Sequence, residues 1–315
     1  MYKIIQPTKI IFGSDSAKNY SYTSKCLVIT SQGSQKRDWF NYLGLKDFDV
    51  FDSVEPNPSM ETINEILSKF NFDTFSTIIG LGGGSSLDVA KYIAFKTKKR
   101  KIMIPTTFGS GSEVTRISVL KVDGKKCSFH DDKIVSDVAI IDPNFIKNAP
   151  KEIIKNSAID ACAQCTEAFD SKLGNTYTKF LCEKAFGFLE SGILNSNYEY
   201  LALGSLISGL GFGNSSTTLG HALSYVFSNE GISHGHALAF TTTLSHKFNN
   251  SKFYLRFKNL VKYLNFESIH LEQDLDDAAK IILTDRKHLD FNPKDVTKEN
   301  IIEILKEINH KKFQL

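Results

Sequence analysis

Residues 80–91 read Gly-Leu-Gly-Gly-Gly-Ser-Ser-Leu-Asp-Val-Ala-Lys and directly follow the apolar run at 77–79. An apolar strand that leads into three glycines and then into a helix, here starting near Ser85, is typical of a phosphate-binding turn. Glycines let the backbone approach a pyrophosphate closely, and a helix start offers unpaired N–H groups and a positive dipole end. The spacing is neither G-x-G-x-x-G nor a Walker A loop, so it predicts neither the usual dinucleotide fingerprint nor an NTPase.

We therefore predict a cofactor-binding turn at this position, with a plain strand-to-helix connection as the alternative. Six residues of the turn and of the following helical turn are candidate cofactor contacts: Gly82, Gly83, Gly84, Ser85, Asp88 and Lys91.

A second glycine-rich segment, residues 105–113, follows the apolar run at 101–104. Hydroxyl groups at the carboxyl end of a parallel strand can bind ribose or phosphate oxygens, so Thr106, Thr107 and Ser110 are further candidates for cofactor contacts. The alternative is a capped loop in which Ser112 or Glu113 begins a helix.

Short apolar runs alternate with helical patterns up to residue 150, which predicts an α/β, Rossmann-like domain with a parallel sheet over 1–150. Long helical segments dominate afterwards and predict an all-helical domain over 151–315. The predicted strands are 25–30, 77–79, 101–104 and 138–143, the predicted helices are 61–70, 86–95, 153–169 and 176–190, and the chain crosses between domains at 148–151.

The second half also contains residues of the types that bind metals: Asp160, His221 and His234. One carboxylate and two imidazoles suit a divalent ion such as Fe²⁺ or Zn²⁺, and three protein ligands leave a position for substrate. The alternative for each histidine is a hydrogen-bonded residue of the core or surface.

These motifs, in this order, resemble the iron-containing (group III) alcohol dehydrogenase family from residue 1 to about residue 245. The resemblance implies the dehydroquinate synthase-like fold, with a nucleotide-binding α/β domain and an all-helical domain. It also implies a divalent metal, NAD(P)-dependent interconversion of an aldehyde and a primary alcohol, and a homo-oligomer such as a dimer. The last quarter of the chain carries no motif that we can place.

Two residues depart from the family pattern. Gln164 stands where the family commonly has a histidine ligand, one helical turn after Asp160 and on the same helix face. Its amide oxygen can bind the metal, a water on the metal, or the substrate. Tyr225 replaces a second histidine four residues after His221; it can orient substrate or transfer a proton if its pKa of ~10 is lowered, or pack in a helical core.

Residues 160–164, 221–225 and 232–237 look most like the phosphonoacetaldehyde reductase branch, which implies reduction of phosphonoacetaldehyde to 2-hydroxyethylphosphonate. His236 is our candidate for binding the phosphonate or relaying a proton. Glycerol or glycerol-phosphate dehydrogenases and dehydroquinate synthase-like enzymes remain alternatives. A non-catalytic dinucleotide-binding protein with a decayed metal site also remains open.

The end of the predicted strand 25–30 sets the choice of nicotinamide cofactor. An acidic residue there would bind the adenosine ribose 2′-OH and repel a 2′-phosphate, but this chain has Ser31, followed closely by Lys36 and Arg37. We expect Ser31 to contact the cofactor and NADP(H) to be preferred over NAD(H). The alternative is that the two cations belong to a solvated helix start.

The composition, with 41% hydrophobic and 23% charged residues over 315, is that of a globular protein with room for two domains. A net charge of +3 gives no reason to expect nucleic acid as a partner, so the expected partner is a small-molecule substrate. No apolar run reaches the ~20 residues of a membrane span, and we expect a cytoplasmic protein. Five cysteines without regular spacing favour reduced thiols, with Cys162 and Cys165 packed in a helix.

Overall fold

The computed structural model describes residues 1–22, 25–147 and 149–310. The chain forms two compact units, the first from Lys3 to Ala149 and the second beginning at Pro150. Asn148, which is part of the predicted crossing, lies outside the described residues. Among those residues, no helix combines the length and the apolarity that a membrane crossing needs.

The centre of the first unit is a parallel sheet, which over the described residues has the strand order β1-β8-β5-β4-β2-β3. The strands of this unit are β1 (Lys9–Phe12), β2 (Cys26–Ile29), β3 (Phe48–Phe51), β4 (Thr77–Gly82), β5 (Arg100–Pro105), β6 (Ile117–Val122), β7 (Lys125–His130) and β8 (Val138–Ile141). Its helices are α1 (Gly33–Lys36), α2 (Trp39–Leu43), α3 (Met60–Lys69) and α4 (Gly84–Thr97). The predicted parallel α/β domain is confirmed.

Both faces of this sheet are covered, as the alternation of side chains along β2 shows. Leu27 and Ile29 belong to one buried apolar cluster, whereas Val28 belongs to another. Successive side chains of a strand point to opposite faces, so a strand that is apolar at every position is buried on both sides.

The sheet reverses its order between β2 and β4. From β2 the chain continues outward to β3, whereas from β4 it continues to β5 on the other side. In open α/β sheets a ligand binds outside the carboxyl ends of the strands at such a point. The glycine turn after β4 lies there.

An antiparallel hairpin, β6 with β7, was not predicted from the sequence. Ser112 and Glu113, considered as a possible helix start, lie instead in a turn before β6. The Ser112 hydroxyl donates to Asp88 Oδ1 at 2.5 Å, so it is not used as a helix cap. That interpretation of the loop was wrong.

Glu113 carries a pH-dependent part of the stability of the first unit. It is buried, and burial raises its pKa from 4.5 to about 7 against the opposing effects of a backbone hydrogen bond and the Lys91 charge. Because the folded-state pKa is the higher one, the protein is most stable below pH 4.5 with respect to this group and loses stability as the pH rises through 7.

We expect Glu113→Gln to remove roughly 1–3 kcal/mol of this pH dependence between pH 5 and 8. Guanidinium unfolding followed by fluorescence of Trp39, the single tryptophan, measures the first unit. Glu65→Gln, on the exposed side of α3, is the control, and its free energy of unfolding should depend on pH as in the wild type. The same pH dependence in the wild type and in Glu113→Gln would contradict the prediction.

The second unit is helical throughout its described residues, as predicted. Its helices are α5 (Lys151–Asp170), α6 (Thr176–Leu194), α7 (Tyr198–Phe212), α8 (Leu219–Asn229), α9 (His234–Asn249), α10 (Tyr254–Leu264), α11 (Leu275–Leu283), α12 (Arg286–Leu289) and α13 (Lys298–Asn309). Helix α5 packs against α6, α7, α8 and α9, so it lies at the centre of the unit. One apolar cluster runs through these helices.

Candidate metal centre and nucleotide-binding turn

Three side chains from three helices of the second unit converge. Asp160 lies on α5, His221 on α8, and His234 opens α9; one potential ligand atom from each lies within 4.8 Å of the other two. Asp160 Oδ1 and His221 Nε2 are 3.9 Å apart. The structure therefore brings together the three residues that the sequence predicted as a group.

Glu167 fixes the orientation of His221. Its Oε2 lies 2.5 Å from His221 Nδ1, and the Nε2 atom of the same ring faces Asp160. A histidine that donates Nδ1–H to a carboxylate keeps its lone pair on Nε2, which is the arrangement found behind many metal-binding histidines.

The same carboxylate caps α8, where no side-chain N-cap exists. Glu167 accepts hydrogen bonds from the backbone N–H groups of Thr218, Gly220 and His221. A Cβ on Gly220 would lie 2.7 Å from Glu167 Oε1, so only glycine allows this approach. Burial acts to raise the pKa of Glu167, but the hydrogen bond and charge of His221 outweigh it and lower that pKa to about 2.

Gln164 lies beside the group. Its Nε2 donates to Asp160 Oδ1 at 2.9 Å, and its Oε1 is buried with no hydrogen-bond partner among the described residues. A carboxylate, two imidazoles and an unsatisfied amide oxygen form a donor set that fits a divalent cation.

Tyr225 lies next to the centre. Its ring stacks on that of His234, with centroids 6.0 Å apart and planes 8° apart. Burial raises its pKa above the ordinary value, and the charges of Asp285, Asp160 and Glu167 raise it further. Proton transfer by Tyr225 would need a lowered pKa, the opposite of this direction, whereas orientation of substrate and packing in the helical core need no change in its pKa.

His236 points elsewhere. Its Nε2 is 2.6 Å from the Glu267 carbonyl oxygen, and its ring packs against Phe240 and Phe266. Two residues along a helix turn the side chain by about 200°, so a residue two positions after His234 lies on the opposite face of α9. The prediction that His236 binds an anion or relays a proton was wrong.

In the first unit, the glycine turn connects β4 to α4. Gly82 has φ of +151°, a conformation that favours glycine, and a Cβ there would lie 2.7 Å from Ser86 Oγ. Gly83 precedes the first residue of α4, and a Cβ on Gly84 would lie 2.9 Å from Ser110. The turn therefore needs small residues to hold its shape and to expose the N–H groups at the start of α4.

The other predicted cofactor contacts surround this turn. Thr106 N donates to Gly82 O at 2.9 Å, and the space above Gly83 is bounded by Thr107 Oγ1. Ser31 lies two residues after the end of β2. The residue between them, Thr30, donates a hydrogen bond from Oγ1 to Leu81 O at 2.6 Å, which connects this end of β2 to β4. Ser85 Oγ accepts from Asn57 N at 3.3 Å, and together these residues form one loop cluster at the carboxyl edge of the sheet.

Asp88 and Lys91 do not belong to this cluster. The Lys91 side chain is fully buried, pairs with Asp88 at 3.3 Å and donates to the carbonyl oxygens of Thr115 and Ile117. Asp88 Oδ2 accepts from Val119 N at 3.0 Å. Both residues attach the β6–β7 hairpin to α4. The prediction that they contact the cofactor is therefore corrected by the structure.

Sequence reasoning missed two residues that lie beside the centre. Glu167 lies seven residues, or two helical turns, after Asp160, and that spacing was a usable signal. His288, on α12, is buried, and its ring stacks on His221 with centroids 6.2 Å apart. Burial lowers the pKa of His288 against the effect of its Asp285 hydrogen bond, and no local pattern marked this residue.

Two sequence models of known families match the chain, and together they cover well over half of it. Residues 7–143 match the iron-containing alcohol dehydrogenase model, and residues 154–284 match the C-terminal model of the Fe-containing alcohol dehydrogenase family.

Individual relatives agree with this. The chain is 33% identical over 209 residues to a 4-hydroxybutyrate dehydrogenase of Clostridium kluyveri, a match that covers 57% of this chain and 56% of that protein. The chain thus spans about half the length of this relative. A 1,3-propanediol oxidoreductase structure superposes with a TM-score of 0.89 at 22% identity, covering 98% of this chain and 100% of that one. A sulfoacetaldehyde reductase from Bifidobacterium kashiwanohense, in complex with NAD⁺, gives 0.88 at 21%, with 99% of both chains covered.

Proposed function

The chain belongs to the iron-containing alcohol dehydrogenase family, and from that premise we propose that it is a metal-dependent, NAD(P)(H)-linked oxidoreductase that interconverts an aldehyde and a primary alcohol. The observation that carries this proposal is the convergence of Asp160, His221 and His234 on one point of the helical unit. The predicted domain 1–150 would bind the cofactor, and the predicted domain 151–315 would bind the metal.

The proposed ligands are Asp160, His221 and His234, with Gln164 as a neutral fourth donor through its unsatisfied Oε1. A bound Fe²⁺ or Zn²⁺ supplies Lewis-acid polarisation of the carbonyl oxygen. Glu167 holds the tautomer and direction of His221, while Asp160 supplies a negative charge that attracts the cation.

The loop cluster of the first unit would hold the dinucleotide. Gly82, Gly83 and Gly84 allow the pyrophosphate to reach the N–H groups at the start of α4. Thr106, Thr107, Ser110 and Ser85 would bind ribose or phosphate oxygens. The cofactor supplies the hydride, and the protein supplies its alignment.

For the substrate, we propose a short aldehyde that carries an anionic group, with phosphonoacetaldehyde as the first candidate. The residue pattern around Gln164 and Tyr225 supports it, as does the fold shared with a sulfoacetaldehyde reductase. With His236 turned away, the group that would bind the phosphonate is not among the predicted residues.

The test is to purify the protein anaerobically, restore Fe²⁺ or Zn²⁺, and follow NADPH absorbance. The substrates are phosphonoacetaldehyde, sulfoacetaldehyde, simple aldehydes, glyceraldehyde and dihydroxyacetone phosphate, with 4-hydroxybutyrate in the oxidative direction. Metal-dependent turnover supports the proposal, and the largest kcat/KM identifies the substrate. Bound metal and cofactor without turnover on any carbonyl would overturn it in favour of a synthase-like or non-catalytic protein.

For the cofactor, we propose that NADP(H) is preferred, since Ser31 leaves no carboxylate at the end of β2 and Lys36 and Arg37 lie exposed beyond it. Ser31→Asp is expected to shift the ratio of kcat/KM for NADPH over NADH by tenfold or more towards NADH, because an aspartate binds the ribose 2′-OH and repels a 2′-phosphate. Gln35→Asp adds the same charge on the exposed face of α1 and should leave the ratio nearly unchanged. An unaltered ratio in Ser31→Asp would remove Ser31 from the cofactor site.

A further inference from the structure

His288 is a buried histidine that none of the sequence motifs includes. It lies on α12, and only 5% of its surface is exposed. Its ring is nearly parallel to that of His221, with 15° between the planes and 6.2 Å between the centroids, and lies 5.7 Å from the Tyr225 ring. For comparison, the rings of His221 and His234 are 5.5 Å apart. His288 therefore borders the proposed metal centre.

Asp285 fixes the direction of this ring. His288 Nδ1 lies 2.8 Å and 2.7 Å from the two carboxylate oxygens of Asp285. A ring that donates Nδ1–H to a carboxylate presents its lone pair at Nε2. Within residues 1–22, 25–147 and 149–310, no hydrogen bond to His288 Nε2 is present, so this donor atom is not used elsewhere in the unit.

The pair Asp285–His288 repeats the arrangement of Glu167–His221, in which a carboxylate orients a histidine behind the centre. The centre itself has two imidazoles, and Gln164 stands where the resemblance predicted another. The Gln164 amide nitrogen donates to Asp160, and α5 supplies no imidazole at this position. The imidazole of His288, on α12, lies beside the centre instead.

We propose that His288 is a further metal-binding residue of this chain, whose Nε2 gives the centre the third imidazole that position 164 does not provide. The proposal rests on the metal centre proposed above. His288 lies outside the group whose ligand atoms are within 4.8 Å of one another, so binding requires its ring to close on the centre. Asp285 would then act as a positioning residue.

Co²⁺ binding to the metal-free protein, measured against a competing chelator and by the visible spectrum of the bound ion, tests this without any turnover. His288→Asn keeps an amide at the position of Nδ1 and hence the Asp285 contact, but lacks Nε2. It is expected to weaken Co²⁺ binding by at least ~10–100-fold, the loss seen for groups that merely orient ligands, and to change the spectrum.

His288→Gln is the decisive second variant, because its amide oxygen extends to the position of Nε2. Metal binding by His288 predicts tighter Co²⁺ binding in His288→Gln than in His288→Asn, whereas a packing role predicts the reverse order. His236→Asn is the matched control and should bind Co²⁺ like the wild type.

Wild-type affinity in both His288 variants, or weaker binding with an unchanged spectrum, would overturn the inference while leaving the three-residue centre intact. Absence of Co²⁺ binding in the wild type would instead overturn the centre itself, and with it the proposed function.

Discussion

Replacing Asp160 by asparagine is expected to leave the protein without stoichiometric metal and to lower kcat/KM by about 10³-fold or more. Of the three converging donors Asp160, His221 and His234, only Asp160 is an anion, and an amide of the same shape is a neutral and weaker ligand. Lewis-acid polarisation contributes several kcal/mol to the stability of the transition state, and each 1.36 kcal/mol corresponds to tenfold in rate.

Metal analysis of the purified protein and steady-state kinetics measure the two effects separately. Folding should change little, because an asparagine at 160 can still accept the hydrogen bond of Gln164. Asp295→Asn, at a fully exposed aspartate of the second unit, is the control for the same chemical change and should keep metal and activity. Full metal content and normal turnover in Asp160→Asn would exclude Asp160 from the centre.

The fold could be predicted from the sequence because its signals are local. The glycine turn after β4 follows a strand whose residues are all buried, and the helix after it begins at Gly84, next to the predicted Ser85. The alternation of apolar runs with helical patterns then required a parallel sheet. The β6–β7 hairpin was missed although its strands are joined by Asp123 and Gly124, both at positive φ, and an Asp-Gly pair is typical of a two-residue hairpin turn.

The site was only partly predictable, and the errors have physical causes. His236 was placed by its closeness to His234 in sequence, although two residues on a helix face opposite ways. Asp88 and Lys91 were placed by their closeness to the glycine turn, but their side chains reach the hairpin under α4. His288 lies beside the centre only through the packing of α12 on α8, which no sequence spacing records.

Glu167 shows how a residue outside the ligand set can control it. The carboxylate accepts hydrogen bonds from three backbone N–H groups at the start of α8, from the hydroxyl of Thr218 and from Nδ1–H of His221. Every one of these partners is a donor. A glutamine at 167 has the same shape but directs an NH₂ group at donors, whichever way its amide is turned.

We therefore expect Glu167→Gln to weaken Zn²⁺ or Co²⁺ binding by about 10–100-fold and to destabilise the second unit by about 2–4 kcal/mol. The metal effect arises in the orientation that places the NH₂ group against His221 Nδ1, because the ring can then relieve the conflict only by moving its proton to Nε2, the atom that faces Asp160. Chelator competition on the folded protein and guanidinium unfolding followed by far-UV circular dichroism measure the two losses. Glu183→Gln, an exposed glutamate of α6 paired with Lys252, should show neither. If Glu167→Gln lost stability but bound metal like the wild type, Glu167 would be a helix cap alone and His221 would not depend on it.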